Sequence, residues 1–594
     1  MTHPISEVST KHKTMKKLNL TIISIAFLIS VSSCHKKAQT VKNDNDIDDQ
    51  VQKEKETNQT ELVDVMPEKR VEDVYIEEYE SEPEEEMDFE YSLEEVEYVP
   101  QYSIKRSSKI MTNGDVYYQK PHNTESYANV VENNFKAVTN DPLSTFSIDV
   151  DAASYTNSRR YINQGNLPPA DAVRIEEFIN YFSYDYPQPK DKNPFSITTE
   201  VGKCPWNTDH QLVHVGLQGK RIPFNKIDNI NLVFLVDVSG SMSASNKLPL
   251  LKKSLTALTK QLRDKDRVAI VVYAGAAGVV LPSTSGRDKE TIINSLNQLQ
   301  SGGSTAGGAG IKLAYKIAEE NFIQNGINRI ILATDGDFNI GASSDGEMTK
   351  LIEKKRDLGI SITNLGFGMG NYKDSKMETI ADHGNGNYFY IDSFTEARKV
   401  LVDELDGTLY TIAKDVKLQI EFNPEFVKGY RLVGYENRML NKEDFNNDKK
   451  DAGELGAGHT VTALYEIIPA GSTESIEGID ELKYQQTTKT KNISNEMLTV
   501  KFRYKRPNES VSNLIVKTLE PTTQKTTSNN FNFSNAVAQF GMILRGSKYK
   551  GTSTYKSTLE LAKTAIGEDN NGHRNEFLKL VRSAKLIDDS IGMK

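Results

Sequence analysis

Two cysteines in 594 residues leave little from which to build a disulfide framework, so a stable fold has to come from buried apolar surface. Long apolar runs are also missing. The nearest approach, Leu18 to Val31, is broken by Asn19, Thr21, Ser24 and Ser30 and falls short of the ~20 residues a membrane-spanning helix needs. Concentrated basic charge is absent too. The net charge is −10, and residues 41–100 hold 23 acidic against 5 basic side chains, which leaves the rest of the chain only mildly basic. That excludes the Lys/Arg footprint of binding to a phosphate backbone, and no nucleic acid partner is expected. The nine histidines are scattered, with neither an H-E-x-x-H string nor a pair at helical metal spacing. No G-x-S-x-G elbow occurs. The glycine-rich loop from Gly302 to Lys312 lacks Lys-Ser or Lys-Thr at the offset a phosphate-binding loop requires, so no nucleotide is expected. His383, in ADHGNGNYFYI, reads as a turn residue, and Ser239 has no evident base. A hydrolytic site needs such a base or a metal-activated water, and the chain is not read as an enzyme.

What is present begins with an export signal spanning residues 1–34. Lys16 and Lys17 precede the apolar stretch, small residues follow it, and Met15 is an alternative start. Val31-Ser32-Ser33-Cys34 resembles the lipobox of bacterial lipoproteins, where the cysteine becomes the acylated first residue of the mature chain. The resemblance implies a membrane partner reached through a lipid on Cys34. His35, in place of aspartate, resembles the outer-membrane sorting pattern, which implies a periplasm-facing location with surface exposure as the alternative. With Cys34 lipidated, Cys204 has no partner left and reads as a small buried apolar residue. Residues 35–120 are dominated by Glu, Asp, Lys, Asn and Gln early, and by acids with interspersed tyrosines from Glu77 to Glu97. Such a segment cannot bury enough apolar surface to offset its ordering entropy, and a disordered acidic tether is expected.

The remaining length allows about three domains of ~150 residues. Residues 121–227 read as a mixed α+β flank: a strand around Thr145–Val150, helical periodicity from Ala153 to Ile162 and from Asp171 to Phe182, then alternating strands in FSITTEVG and HQLVHVGLQG. From 228 to 405 strands and helices alternate. INLVFLVD, RVAIVVYAG, NRIILATDG, ISITNLGFG and NYFYI are strands of buried type, and TEARKVLVDELDGTL reads as the closing helix. This order predicts an α/β fold with a central, doubly wound, mostly parallel sheet whose ligand crevice lies at the carboxyl ends of the strands. Residues 406–594 read as β-rich, from DVKLQIEF to EMLTVKFRYK, with a helical C-terminal tail at Phe533–Arg545, Thr558–Ile566 and Glu576–Leu586. Because strands also precede the central domain, the two flanks either pair into one sandwich with the α/β domain inserted or stand as separate domains.

The residues that carry chemistry sit at strand ends. Asp237-Val238-Ser239-Gly240-Ser241 follows the first buried strand, so one carboxylate and two hydroxyls leave a single tight turn. The loop SGGSTAGGAG offers Thr305, with glycines that permit close backbone approach. The strand end ATDGD offers Asp335. The set is all oxygen, which suits a hard divalent cation; small hydroxyl ligands favour Mg²⁺, with Mn²⁺ and Ca²⁺ as alternatives. Asp149 and Asp151 form another Asp-x-Asp that could suggest a second metal site, but a lone pair of this kind on a strand reads as structural or solvated.

Asp237-x-Ser239-x-Ser241, followed by Thr305 and then Asp335 after an apolar strand, resembles the metal-ion-dependent adhesion site of von Willebrand factor type A domains. The resemblance covers the central third of the chain and implies that these five residues hold a divalent ion. It also implies that a carboxylate of a protein partner completes the coordination, for adhesion or assembly of an envelope complex. FSIDVDAASYTNSRRYI, EEFINYF and HTVTALYEI further resemble the flanks of bacterial A-domain lipoproteins of the YfbK type, across most of residues 121–590. Two other functions stay open: a structural or regulatory envelope lipoprotein that uses the central domain as scaffold, and, more distantly, a metal-dependent hydrolase.

Overall fold

The computed structural model describes residues 109–112, 115–118, 124–303, 307–336, 345–476, 494–521 and 526–593. Cys34, Thr305 and nearly all of the export signal and acidic segment lie outside the described residues. Among the described residues, no helix is long and apolar enough to cross a membrane.

Ile230–Asp237 is buried at every position, which is why it reads as a continuous apolar run: both faces of its sheet are covered. In space the six strands follow the order Tyr388–Ile391, Ile360–Phe367, Ile327–Thr334, Ile230–Asp237, Arg267–Tyr273, Ala277–Ser285. All neighbours are parallel except the last pair. The chain starts in the middle, builds outward to one edge, then returns to build the other. The winding therefore reverses between Ile230–Asp237 and Ile327–Thr334, and the crevice of such a sheet lies at the carboxyl ends of those two strands. One face packs on Leu251, Leu255 and Leu258 of helix Leu248–Gln261. The other packs on Ile311, Ala314 and Tyr315 of helix Gly307–Glu320. The antiparallel edge strand Ala277–Ser285 went unread in the sequence, because Val279, Val280 and Pro282 are exposed and its alternation is broken.

The expected closing helix is corrected. Residues 394–409 form a helix at Phe394–Arg398, one wide turn at Lys399–Asp403 and a second short helix at Leu405–Leu409. Glu404 N donates to Lys399 O at 2.8 Å across this turn, and the Thr408 hydroxyl donates back to Val400 O at 3.0 Å. Wide turns of this kind commonly mark functional or strained positions in helices.

The flanks pair with each other. One sheet runs Lys136–Ala137, Val427–Val433, Thr460–Pro469, Gln211–Gly219, Phe195–Lys203; in the other, Leu143–Ser147 lies against Thr411–Phe422, with Leu498–Lys505 and Asn513–Leu519 beyond. Both mix strands from before and after the central domain. Phe146 stands opposite Leu418, and Val215 opposite Ala463. Phe146, Val213, Val215, Leu418, Ile420, Tyr465 and Phe502 share one core between the sheets. Strands from Lys136 to Gly219 and from Thr411 to Leu519 thus build one sandwich, and the α/β domain is an insertion between Gly219 and Thr411.

Helices Asn529–Arg545, Tyr555–Thr564 and His573–Gly592 pack on Ala153–Asn163 and Ile175–Asn180 around Tyr155, Phe178, Phe182, Phe533, Phe540 and Phe577. Ser528 caps the first by accepting from Phe531 N, and Gly546, at φ +70°, ends it, a position that favours glycine. Three arginines, two of them buried, fasten this body to the inserted domain. Arg159 holds Asp392 and Glu396 of the insert together with Glu576 of the tail. Arg174 pairs with Glu177 and with Asp374 at 2.5 Å. Arg438 spans Asp149, Glu378 and Asp382. Asp149 also accepts from Asp151 N, and Asp151 accepts from Tyr388 N, so this Asp-x-Asp serves the junction, as the structural reading has it.

Candidate functional site

Asp237 is the last residue of its strand and is fully buried. Its Oδ1 accepts from Ser239 N at 2.9 Å, which folds the turn back on the strand end. Oδ2 accepts from the Thr334 hydroxyl at 2.9 Å and the Tyr273 hydroxyl at 3.3 Å. These come from the two strands on either side, so the carboxylate is gripped across three strands. Burial pushes the Asp237 carboxyl above its usual range and Asp335 adds to the push, while the bonds from Ser239 and Thr334 oppose it. The upward shift marks a place where negative charge is crowded and undersolvated.

Ser239 Oγ lies 3.0 Å from Ser241 Oγ, the first buried and the second exposed. The turn is tied to the glycine loop by Gly240 N to Gly303 O at 3.0 Å and Gly302 N to Val238 O at 2.8 Å. Asp335, also buried, follows Thr334 directly. The structure therefore brings Asp237, Ser239, Ser241 and Asp335 to one end of the sheet at the winding reversal. Thr305, the fifth sequence-derived residue, lies outside the described residues, two positions past Gly303. No group of three or more His, Cys, Asp or Glu with metal-holding geometry occurs among the described residues. The donors here are two carboxylates and hydroxyls, a set that fits a hard oxygen-seeking ion and not a soft one.

Three contributors escaped the sequence reading. Thr334 and Tyr273 are polar residues at the ends of otherwise apolar strands, a signal that could have found them. Lys247, whose Nζ donates to Asp335 Oδ2 at 2.8 Å, carries no such signal. It enters at the N-cap of helix Leu248–Gln261.

A loop backs the site. Gly368, at φ +77°, lies against the Lys247 side chain, where any Cβ would collide with its methylenes. Gly336, at φ +91°, packs on Tyr372 and Lys373 in the same way. From the far side this loop is held by the first residues of the folded body. Thr124 N donates to Gly370 O at 2.9 Å and Ser126 N to Tyr372 O at 3.1 Å. The buried Glu125 carboxylate takes Gly370 N at 2.7 Å and both guanidinium nitrogens of Arg160, and Arg160 with the Tyr161 hydroxyl holds it below the usual range against its burial.

A buried aspartate at the reversal of a doubly wound sheet, two hydroxyls on the turn after it and a second aspartate just past the end of the adjacent strand fit a von Willebrand factor type A domain. The model of that domain matches residues 231–403, and a model described as von Willebrand factor matches 121–214. The model described as uncharacterized protein YfbK, C-terminal, matches residues 407–587. YfbK of Escherichia coli (strain K12) is 44% identical over 476 residues, covering 78% of this chain and 82% of that protein. The chain belongs to the YfbK family. Human inter-alpha-trypsin inhibitor heavy chain H3 is 24% identical over 254 residues, covering 40% of this chain and 28% of that protein. Among solved structures, a von Willebrand factor type A protein from Catenulispora acidiphila covers 67% of this chain and 92% of its own, at 15% identity and a TM-score of 0.37.

Proposed function

We propose that this protein is a lipid-anchored binding module of the bacterial envelope, in which the inserted domain recognises an acidic residue of a protein partner through a divalent metal ion. The observation that carries the reading is the buried Asp237 carboxylate at the sheet reversal, with the Ser239 and Ser241 hydroxyls on the turn after it and Asp335 just past the end of the next strand. Asp237, Ser239, Ser241 and Asp335, with Thr305 expected from the resemblance, would hold the ion. A bound divalent ion, Mg²⁺ by preference for small oxygen ligands, would supply a coordination position for the partner's carboxylate. The protein's own part is positioning. The grip of Ser239 N, Thr334 and Tyr273 fixes the Asp237 carboxylate, and the Gly303 and Val238 carbonyls fix the turn that carries the serines. Binding, not hydrolysis, suits this arrangement: Ser239 Oγ is partnered by another hydroxyl, which is no general base.

The export signal and the Val31-Ser32-Ser33-Cys34 string support attachment through Cys34, with the folded body on the periplasmic side of the outer membrane. Metabolic labelling with palmitate tests the anchor, and incorporation that survives Cys34→Ser refutes it. The binding reading is tested by affinity capture from solubilised envelopes, with and without EDTA, for the wild type and Asp237→Ala. A partner lost under both conditions is expected. Capture indifferent to both would leave the scaffold function instead.

A further inference from the structure

We infer that Lys247 sets the charge balance of this site, lowering its affinity for the metal ion and keeping the loaded site cationic, so that an anionic group from outside is needed to neutralise it. The inference rests on the metal-binding reading above and deepens it.

The Lys247 ammonium lies 2.8 Å from Asp335 Oδ2, with the two side chains 11% and 2% exposed. A cation this close withdraws one carboxylate's worth of charge from the donor set. The ammonium is also held in place. Its methylenes pack on Gly368, at φ +77°, where a side chain would displace them. The Gly368 carbonyl accepts from the Tyr390 hydroxyl, and the loop is tied through Gly370 to Glu125. The Lys247 stem is therefore bounded on one side by a loop that is itself bonded at Gly368 and Gly370.

The consequence follows from counting formal charges. Among the described residues, Asp237 and Asp335 offset a divalent ion and the hydroxyls add nothing, so on that count the loaded site without Lys247 is neutral. With the ammonium present the same count leaves one net positive charge, among side chains that are largely buried, where interactions between charges are strong. A carboxylate arriving from a partner restores neutrality. Lys247 thus weakens the hold on the ion and strengthens the hold on the anion, two effects of opposite sign from one side chain.

The test uses the full chain as wild type, Lys247→Met, Lys247→Gln and Lys247→Arg. Mg²⁺ is titrated by calorimetry, and acetate is titrated against the Mn²⁺-loaded protein by its effect on water-proton relaxation. The neutral variants are expected to bind Mg²⁺ about tenfold more tightly, about 1.4 kcal/mol, and acetate at least several-fold more weakly. Lys247→Arg should follow the wild type. The glutamine variant keeps a polar group at the helix cap and carries the test should the methionine variant not fold. A lysine that only orders the crevice would on removal weaken both ligands, and parallel weakening, or no change in either, overturns the inference. Absence of Mg²⁺ binding in all four proteins overturns the metal reading itself, and this inference with it.

Discussion

Removing Arg159 should loosen the joint between three parts of the molecule. Its guanidinium meets Asp392 in a two-pronged contact at 2.6 and 2.7 Å, Glu396 at 2.8 Å, the Tyr181 hydroxyl at 2.9 Å and Glu576 at 3.1 Å. Glu396 is more deeply buried than the arginine and Asp392 nearly as deeply. Arg159→Met keeps the stem and deletes the charge, which strips buried Asp392 of its guanidinium and leaves buried Glu396 only the Lys399 charge nearby. Breaking a buried pair by removing one partner costs about 3–5 kcal/mol, and that loss is expected in urea unfolding followed by circular dichroism at pH 8. The deficit should shrink on acidification. Burial holds Glu396 above its ordinary range even with Arg159 present, and loss of the cation raises it further. An acid raised in the folded state is penalised above its folded pKa and relieved as pH falls through it. Adding Asp392→Asn and Glu396→Gln to Arg159→Met should recover most of the loss, because neutral groups of the same shape cost far less to bury. A single variant that loses less than ~1 kcal/mol, the low end for any buried hydrogen-bonded group, would refute the argument, as would a triple variant no better than the single one.

His214 is buried between the Tyr186 hydroxyl and Ser534, and burial pushes it down to about 3. The unfolded chain takes up this proton below about 6.5 and the folded chain does not, so stability should fall by about 1.4 kcal/mol per pH unit between 6.5 and 4; His214→Gln should flatten that slope, and an unchanged slope would assign it to another group. Glu125→Ala removes the carboxylate that ties Gly370 to Arg160, and amide hydrogen exchange should accelerate across residues 368–373; protection equal to the wild type would show that the loop holds itself. Gly386→Ala would drive a Cβ into the Ile362 carbonyl, a backbone group that cannot step aside, and a loss of about 3 kcal/mol or more is expected, the scale of strained or overpacked positions; wild-type thermal stability would contradict it.

The central sheet was legible because burial on both faces writes itself into the chain as runs such as INLVFLVD, and the strand ends then place Asp237 and Asp335 without any long-range information. The edge strand hid because a one-sided strand with Pro282 and two exposed valines breaks every periodic template. The break in the last helix was hidden too: most residues from Phe394 to Leu405 suit a helix, and the offset shows in the Glu404 N to Lys399 O bond across the wide turn. The sandwich could be suspected but not assigned, since Phe146 pairs with Leu418 and Val215 with Ala463 across the whole inserted domain, and local sequence carries no record of such partners. Lys247 went unread for a related reason. A lysine ahead of a helix is ordinarily solvated, and only the packing of Gly368 from more than a hundred residues away turns it onto Asp335.

The most direct test of the account is a Mn²⁺ titration of the EDTA-treated, full-length protein, followed by electron paramagnetic resonance and repeated on Asp237→Ala. One bound Mn²⁺ per chain, displaced by Mg²⁺ and lost in the variant, is the predicted result. No bound ion in the wild type, or binding that persists without the Asp237 carboxylate, would contradict it.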